Sequence, residues 1–536
     1  MSMKVWLSSS LVRQFPNAAP PRGQATLSLY AARGERVSFQ ASVFVPSGDR
    51  PREVSLRVDA PGDLAVRVRR VGLVPVPHHN ADTPVEELDG VGHIPGYVPD
   101  PLFPEETALV APREVAAFWI TVNVRRAARP GPKEIALAFH SAGERDNAAS
   151  LLKATVLVSE VVLAKRKDFR VTHWFYADAI CDWYGVEPFG EPFWPICEKY
   201  MKDYAEHGCD LIYVPVFTPP LDGVKRPTQL LKVRPRAGGR YSFDWRRVKR
   251  WIQLAQKSGI RHFEWTHFFT QWGCRNAIRV YEERDGKNRL LWPPGTGATS
   301  STHRDFLAQF LPALERFLRE ERLLNASYFH VSDEPGGDSL PYYRKARDLL
   351  RELAPWMRVM DALSDVRFAR EGLTDMPVPS IAHARPFVEE GIPSWAYFCC
   401  GPRGRWINRL LDTPLIKIRM TGWLLYRLGF GGFLHWGFNY WHRSQTQHMI
   451  DPFTVTDGER WPGWAYGDPF VVYPGPDGPI DSLRWEVFAE SLQDYALLQT
   501  LGVPRDDRRL APLKDFDDFP RNEKWLARLR KSLLGV

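Results

Sequence analysis

The sequence sets two carboxylates side by side, Asp333 and Glu334, inside YFHVSDEPGG (328–337). Two carboxyl groups at one site are the smallest equipment for general acid/base work on a C–O bond. On a continuous strand, adjacent side chains point to opposite faces. Alternation would put Tyr328, His330, Ser332 and Glu334 on one face and turn Asp333 away. Both acids can serve one substrate only if the strand stops or bulges near Ser332, with Pro335, Gly336 and Gly337 turning the chain. The plainer account is a pair of acids ahead of a helix N-terminus, where negative charge is favoured.

The elements around the pair favour the chemical account. From residue 169 onward, strand-like and helix-like segments alternate. Eight candidate strands are FRVTHWFY (169–176), DLIYVPVF (210–217), RHFEWTHF (261–268), ASYFHVSD (326–333), MRVMDALS (357–364), PSIAHA (379–384), SWAYFCC (394–400) and GFLHWGF (432–438). That rhythm predicts an α/β fold, a (β/α)8 TIM-like barrel. Residues 1–165 read instead as short β-branched strands such as ERVSFQASVFVP and VAAFWITVNV, separated by Pro/Gly turns. They predict an N-terminal all-β sandwich. The expected domains are therefore a sandwich (1–165), a catalytic barrel (166–450) and a C-terminal loop and helical segment closing the barrel (451–536). Asp481 is the expected cap of the helix in that last segment.

Barrels of this kind place their sites at the C-terminal ends of the strands. Those ends carry His173, Trp174, Tyr176 and Asp178; then Glu264 and His267; then His330, Asp333 and Glu334; then Asp361 and Asp365. His383 and Arg385, Trp395 and Tyr397 follow, and then His435, Trp436, Asn439, Tyr440 and Trp441. Carboxylates, flat aromatic faces and hydrogen-bonding side chains together describe a carbohydrate site. Packing explains any single one of the 20 tryptophans, but packing does not call for the His and Asn in HWGFNYW (435–441). No HxH or HExxH pair suggests a metal, and no GxSxG elbow suggests a serine hydrolase.

In many barrel glycosidases the second carboxylate is on the seventh strand, and SWAYFCC has none. This absence favours a substrate that supplies its own nucleophile, a 2-acetamido group, with one carboxyl as acid and its neighbour holding the amide. Two alternatives stay open. One is a glycosidase on sugars without that group, pairing Glu334 with Glu264 or Asp361; the other is a carbohydrate-binding protein without catalysis.

The net charge of +8 arises from 71 basic and 63 acidic residues that are interleaved along the chain. The densest basic run, RRVKR (246–250), reads as the solvated face of an amphipathic helix. Nucleic acid is thus not an expected partner. The six cysteines form no CxxC pair, and no apolar run approaches the ~20 residues of a membrane helix. The N-terminus lacks the apolar segment of a secretory signal. The expectation is a cytoplasmic protein with a carbohydrate substrate and no membrane partner, its oligomeric state left open.

Four ordered motifs carry a resemblance: HVSDEP, GFGGFLHWGFNYW, GDPFVVYPG and SLRWEVFAESLQDYALL. Together with LSLYAARGERVSFQ near the N-terminus, they resemble the group of domains of unknown function numbered 4091, which includes glycoside hydrolase family 123, the β-N-acetylgalactosaminidases. The resemblance implies a sandwich before a barrel and retaining, substrate-assisted hydrolysis without metal or organic cofactor. On this chain it makes Glu334 the general acid/base and Asp333 the residue holding the acetamido group. Substrate contacts are expected from His173, Asp178, Glu264, His267, His330, Asp361, Trp395, Tyr397, Trp436, Asn439, Trp441 and Asp468. The group often has Gly-Asp-Gly where this chain has Gly467-Asp468-Pro469, a change in the loop that carries Asp468.

Overall fold

Apolar alternation builds the first part of the chain as two five-stranded sheets between Lys4 and Val162. The computed structural model describes residues 3–46, 50–141, 150–219, 226–284 and 287–536. One sheet contains Lys4–Ser9, Arg36–Phe44, Val115–Val124, Leu64–Val76 and Gly96–Phe103, in that spatial order. Its Phe39, Ala41, Val43, Phe118, Ile120 and Val122 pack against Ile135, Leu137, Phe139, Ala154 and Val156 of the other sheet. The sandwich is the one expected from the sequence. Its first sheet is buried on both faces, however. Ser38, Gln40, Ser42, Arg69 and Thr121 point the other way and are also covered. Val71, Val74, Ala117 and Trp119 belong to the same apolar core as the second half of the chain.

That second half is organised around a curled parallel sheet of six strands. Their order is Ser327–Phe329, His262–Trp265, Leu211–Val214, Arg170–His173, Gly432–His435 and Ala396–Tyr397. Met360–Ala362 and Met376–Val378 form a separate parallel pair. Single bridges, Phe329 to Val359 and Ser380 to Tyr397, join that pair to the two edges. An unbroken eight-stranded ladder is therefore not formed, and prolines explain part of the gap. Trp395 N donates to Pro377 O and Tyr397 N to Pro379 O, at 3.0 and 3.1 Å. A parallel ladder would return a bond from residue 379, and Pro379 has no N–H.

The same prolines displace the expected sixth strand. It lies at Met376–Val378, while Ile381–His383 is a 3-10 turn and Arg385–Glu389 a short helix. His383 and Arg385 are thus beyond the strand rather than at its end. A four-stranded sheet, Arg240–Asp244, Lys232–Arg236, Tyr281–Arg284 and Lys287–Leu290, was not anticipated and decorates the loops after the second and third strands.

Helix Arg246–Lys257 buries Val248, Trp251, Ile252 and Ala255. Its basic residues face outward into ion pairs, Arg250 with Glu191 at 2.6 Å and Lys249 with Glu321 at 2.5 Å. The solvated-face reading of RRVKR accounts for them. Helix Leu483–Thr500 is capped by Ser482, whose Oγ accepts from Trp485 N, and not by Asp481. It lies so close to helix Leu415–Leu428 that a Cβ on Gly422 would stand 1.9 Å from Ser491 O. Among the described residues no helix is long and apolar enough to cross a membrane.

Candidate active site

The strand that carries the acid pair stops at Phe329. Beyond it, residues 330–334 bend between two neighbours. On one side Phe268, Phe269 and Trp272 donate backbone N–H groups to His330, Val331 and Asp333, at 3.3, 3.1 and 2.9 Å. On the other, Glu334 N donates to Ala362 O at 2.9 Å. Glu334 itself has φ +43°, in the left-handed region that costs a non-glycine residue energy. This turn breaks the strand alternation, and Asp333 and Glu334 face one cavity of about 130 Å³. The stop that the two acids require is present.

Asp333 is 7% exposed, and its Oδ2 accepts from Gln271 Nε2 at 2.9 Å. Burial, followed by repulsion from Glu334, pushes its carboxyl well above the usual aspartate range. Glu334 is exposed to the cavity, and its Oε1 accepts from the Tyr397 hydroxyl at 2.6 Å. The walls are aromatic: Trp174, Trp436, Tyr440 and Trp464, with Trp272 at the rim. Trp436 lies 4.8 Å from Trp464 and 5.3 Å from Tyr440 between ring centroids. Cys399, Cys400 and Gln445 complete the lining with Ala362 and Leu434.

Of the substrate contacts expected from sequence, Tyr397 and Trp436 line this cavity, and the others are placed elsewhere. Glu264, His330 and Asp361 form a buried layer beneath it. His330 donates Nε2–H to Glu264 Oε1 at 2.8 Å and Nδ1–H to Asp361 Oδ1 at 3.1 Å. Burial opposes its charge, but hydrogen bonds to Asp361 and Glu264 carry its pKa up to about 9. Trp174 Nε1 and Thr172 Oγ1 also donate to Glu264, at 2.7 and 2.5 Å. Val331 N and the Tyr343 hydroxyl donate to Asp361. With their oxygens engaged and 0% exposed, neither Glu264 nor Asp361 can partner Glu334 across a sugar. His267 stacks on His330 at 4.2 Å in the same layer.

A second buried group holds Trp436 in place. Its Nε1 donates to Asp468 Oδ2 at 2.8 Å, and His435 Nε2 lies 3.4 Å from Asp468 Oδ1. Burial pushes the Asp468 carboxyl up to about 7. His173 sits below, with Nε2 2.5 Å from Arg409 Nη1 and Nδ1 3.4 Å from Cys209 Sγ. Burial, reinforced by Arg409, keeps His173 neutral by lowering its pKa well below the usual value. Asn439 clamps the Tyr176 backbone through both its amide atoms, at 2.8 and 3.0 Å. Trp441 donates to Val472 O at 3.0 Å, Trp395 packs on Tyr328, and Asp178 is buried in the first turn of helix Ala177–Tyr184. Apart from Asp468, which the resemblance supplied, these residues are expected from position at or just past a strand end. Position alone does not separate the layer that opens into the cavity from the packed layer beneath it.

Gln271, Trp272, Gln445 and Trp464 come from loops, where strand counting has no register. The one available signal was TQW (270–272), a polar–aromatic step just past a strand end. Two groups have the spacing of metal ligands among the described residues, His267/His330/Asp361 and Asp203/His207/Asp481. In each, the histidine is engaged by carboxylates: His330 with Glu264 and Asp361 at 2.8 and 3.1 Å, and His207 with Asp203 at 3.2 Å.

An acid pair among aromatic walls, at the mouth of a curled parallel sheet, has the equipment to cleave a glycosidic bond. Residues 174–501, more than half of the chain, match the sequence model of the glycoside hydrolase 123 catalytic domain. The protein is a glycoside hydrolase, and it belongs to family 123. Catalysis, and not binding alone, is the family's business. The fold matches a family 123 glycoside hydrolase from Clostridium perfringens, studied for glycolipid glycan hydrolysis. That match has a TM-score of 0.76 and covers 100% of this chain and 97% of that one, at 15% identity. A family 5 mannosidase from Rhizomucor miehei covers 68% of this chain and 96% of its own at 13% identity, but its TM-score of 0.30 carries no weight. No curated protein matches the chain.

Proposed function

We propose that the chain is a retaining, substrate-assisted exo-β-N-acetylgalactosaminidase acting on short glycans. The observation that carries this reading is that Asp333 and Glu334 are the only carboxylates among the cavity's lining residues. A protein nucleophile on another strand has no candidate there, so the nucleophile comes from the substrate. Glu334 protonates the glycosidic oxygen as the acetamido oxygen attacks the anomeric carbon. Asp333 accepts the amide N–H and steadies the oxazolinium that forms. Glu334 then takes a proton from water, which opens the ring with net retention.

Without a substrate donor, Asp333 is the carboxyl that burial favours as neutral. An acetamido N–H donated to Asp333 favours its anion, which leaves the pair's proton for Glu334. Tyr397 fixes the carboxyl that must reach the leaving oxygen. A cavity of about 130 Å³ suits one terminal ring, and Trp272, 51% exposed at the rim, offers a flat face to whatever follows it. The leaving portion of a glycolipid, the substrate class of the Clostridium perfringens enzyme, is one such group. The organisation we adopt is a sandwich (1–165), a (β/α)8-type catalytic barrel (166–450) and a closing C-terminal segment (451–536), with strands five and six as its loosest part.

The test is a set of nitrophenyl glycosides with and without the 2-acetamido group. Turnover of the β-N-acetylgalactosaminide, lost in Glu334→Gln, supports the reading. Equal turnover of the plain β-galactoside sinks it.

A further inference from the structure

The cavity wall contains two groups that the proposed mechanism does not use. Cys399 and Cys400 both line it, and they are the only two of the six cysteines that are not buried. Their sulfurs are 3.7 Å apart. The backbone that carries them is held from three sides. Asn408 Nδ2 donates to Cys399 O and Pro402 O at 2.8 and 2.9 Å, Arg403 Nε donates to Cys400 O at 2.7 Å, and Cys399 N donates to Gly401 O at 3.0 Å. The thiols therefore stay adjacent. Tyr397, which orients Glu334, is two residues upstream on the same wall.

We propose that Cys399 and Cys400 are a thiol modification site, a vicinal dithiol that a low-molecular-weight disulfide converts reversibly into an intramolecular disulfide, lowering turnover in the cavity. The thiolate of one cysteine attacks a sulfur of the disulfide, here glutathione disulfide. A mixed disulfide forms and one glutathione thiolate leaves. The neighbouring cysteine loses its proton and attacks the protein sulfur of the mixed disulfide, releasing the second glutathione. Two protein thiols give up two protons and two electrons, and the reagent disulfide is reduced to two thiols. The sulfurs close from 3.7 Å to about 2.05 Å, a shift larger than an ångström in the wall of a small site. Adjacent Cα atoms are about 3.8 Å apart, below the usual span of a disulfide, so the ring is strained and readily reopened by reductant. Contact with the Cys400 sulfur, together with burial, holds the Cys399 thiol well above its usual range, so its exchange is slow at neutral pH and speeds up as pH rises.

Turnover is read on the substrate proposed above and rests on that reading; mass does not. Native full-length protein is incubated with glutathione disulfide at alkaline pH and examined by intact mass and free-thiol count. The expected result is loss of two thiols and two hydrogens without retained glutathione, a bond mapped to Cys399–Cys400, and a several-fold fall in turnover that dithiothreitol restores. Cys400→Ser is expected to keep a stable glutathione adduct on Cys399. Unmodified thiols, or lasting adducts on the wild type, overturn the dithiol. A closed disulfide with unchanged turnover overturns its effect on the site. Absence of any turnover before oxidation counts against the substrate assignment, while the mass result still decides the chemistry of the pair.

Discussion

Two groups of carboxylates in this molecule differ in their partners. Along the seam between the sandwich and the catalytic half, several acids meet arginines. Arg69 bridges Asp481 and Glu486, Arg484 grips Asp100 at 2.8 Å, and Arg419 joins Glu490 to Asp494. In the cavity, Asp333 meets the Gln271 amide and Glu334 meets the Tyr397 phenol, and each acid faces the other. Although burial still pushes Asp481 up to about 7 and raises Glu490, an arginine partner favours the charged form of a carboxylate. A neutral donor fixes its orientation and leaves its proton free to move. Orientation without neutralisation is what acid/base catalysis requires.

Exchanging these roles breaks the comparison. Glu334→Gln keeps the shape and the contact with Tyr397 but removes the transferable proton, and kcat/KM on the acetamido substrate is expected to fall about 10²–10⁴-fold. Arg69→Met removes the nearest cation from Asp481 and Glu486, leaving Arg67 and Arg36, each at 3.8 Å. Removing one partner of a buried pair costs about 3–5 kcal/mol, so urea unfolding shifts to lower concentration while kcat per folded molecule holds. An equal loss of kcat would show that the seam and the cavity are one functional unit.

His207 sharpens the contrast through pH. Burial opposes its charge, but Asp203 and Asp481 raise its pKa to about 10. Its contribution to stability is full below the unfolded value of about 6.5 and is lost as pH rises toward 10. The difference in unfolding midpoint between wild type and His207→Gln should therefore shrink between neutral and alkaline pH. Asp333 shifts stability in the same direction with pH, from a different cause. Its folded pKa is raised by burial and by Glu334, so ionising it costs stability as pH rises. Asp333→Asn is expected to be inactive yet more stable than wild type, with a gain at pH 8 that exceeds the gain at pH 4. The smallest effect belongs to Trp272→Ala. Loss of one stacking face costs about 0.5–1.5 kcal/mol, seen as a raised KM for glycans with a large leaving portion and little change for a nitrophenyl glycoside.

The acid pair, the sandwich and the strand–helix rhythm were legible because each leaves a local pattern. Asp333 and Glu334 are adjacent in the chain, and the motifs around them are specific. The wider site was less legible. Glu264 and Asp361 have the right chemistry at the right strand ends, and only three-dimensional packing shows that their oxygens are spent on His330. Gln271 and Trp464 reach the cavity from loops, whose course no periodicity reports. The sixth strand was misplaced because MPVP (376–379) reads as a breaker, although an edge strand tolerates prolines whose N–H is not needed.

The left-handed backbone at Glu334 has an evolutionary consequence. Glycine adopts φ +43° without strain, so Glu334→Gly would relax the turn while deleting the acid. Drift toward glycine at 334 is downhill for the fold, and only demand for turnover opposes it. A laboratory selection that rewards abundance or heat resistance alone would therefore enrich dead enzyme at this position, and sequencing the survivors of such a selection would reveal it.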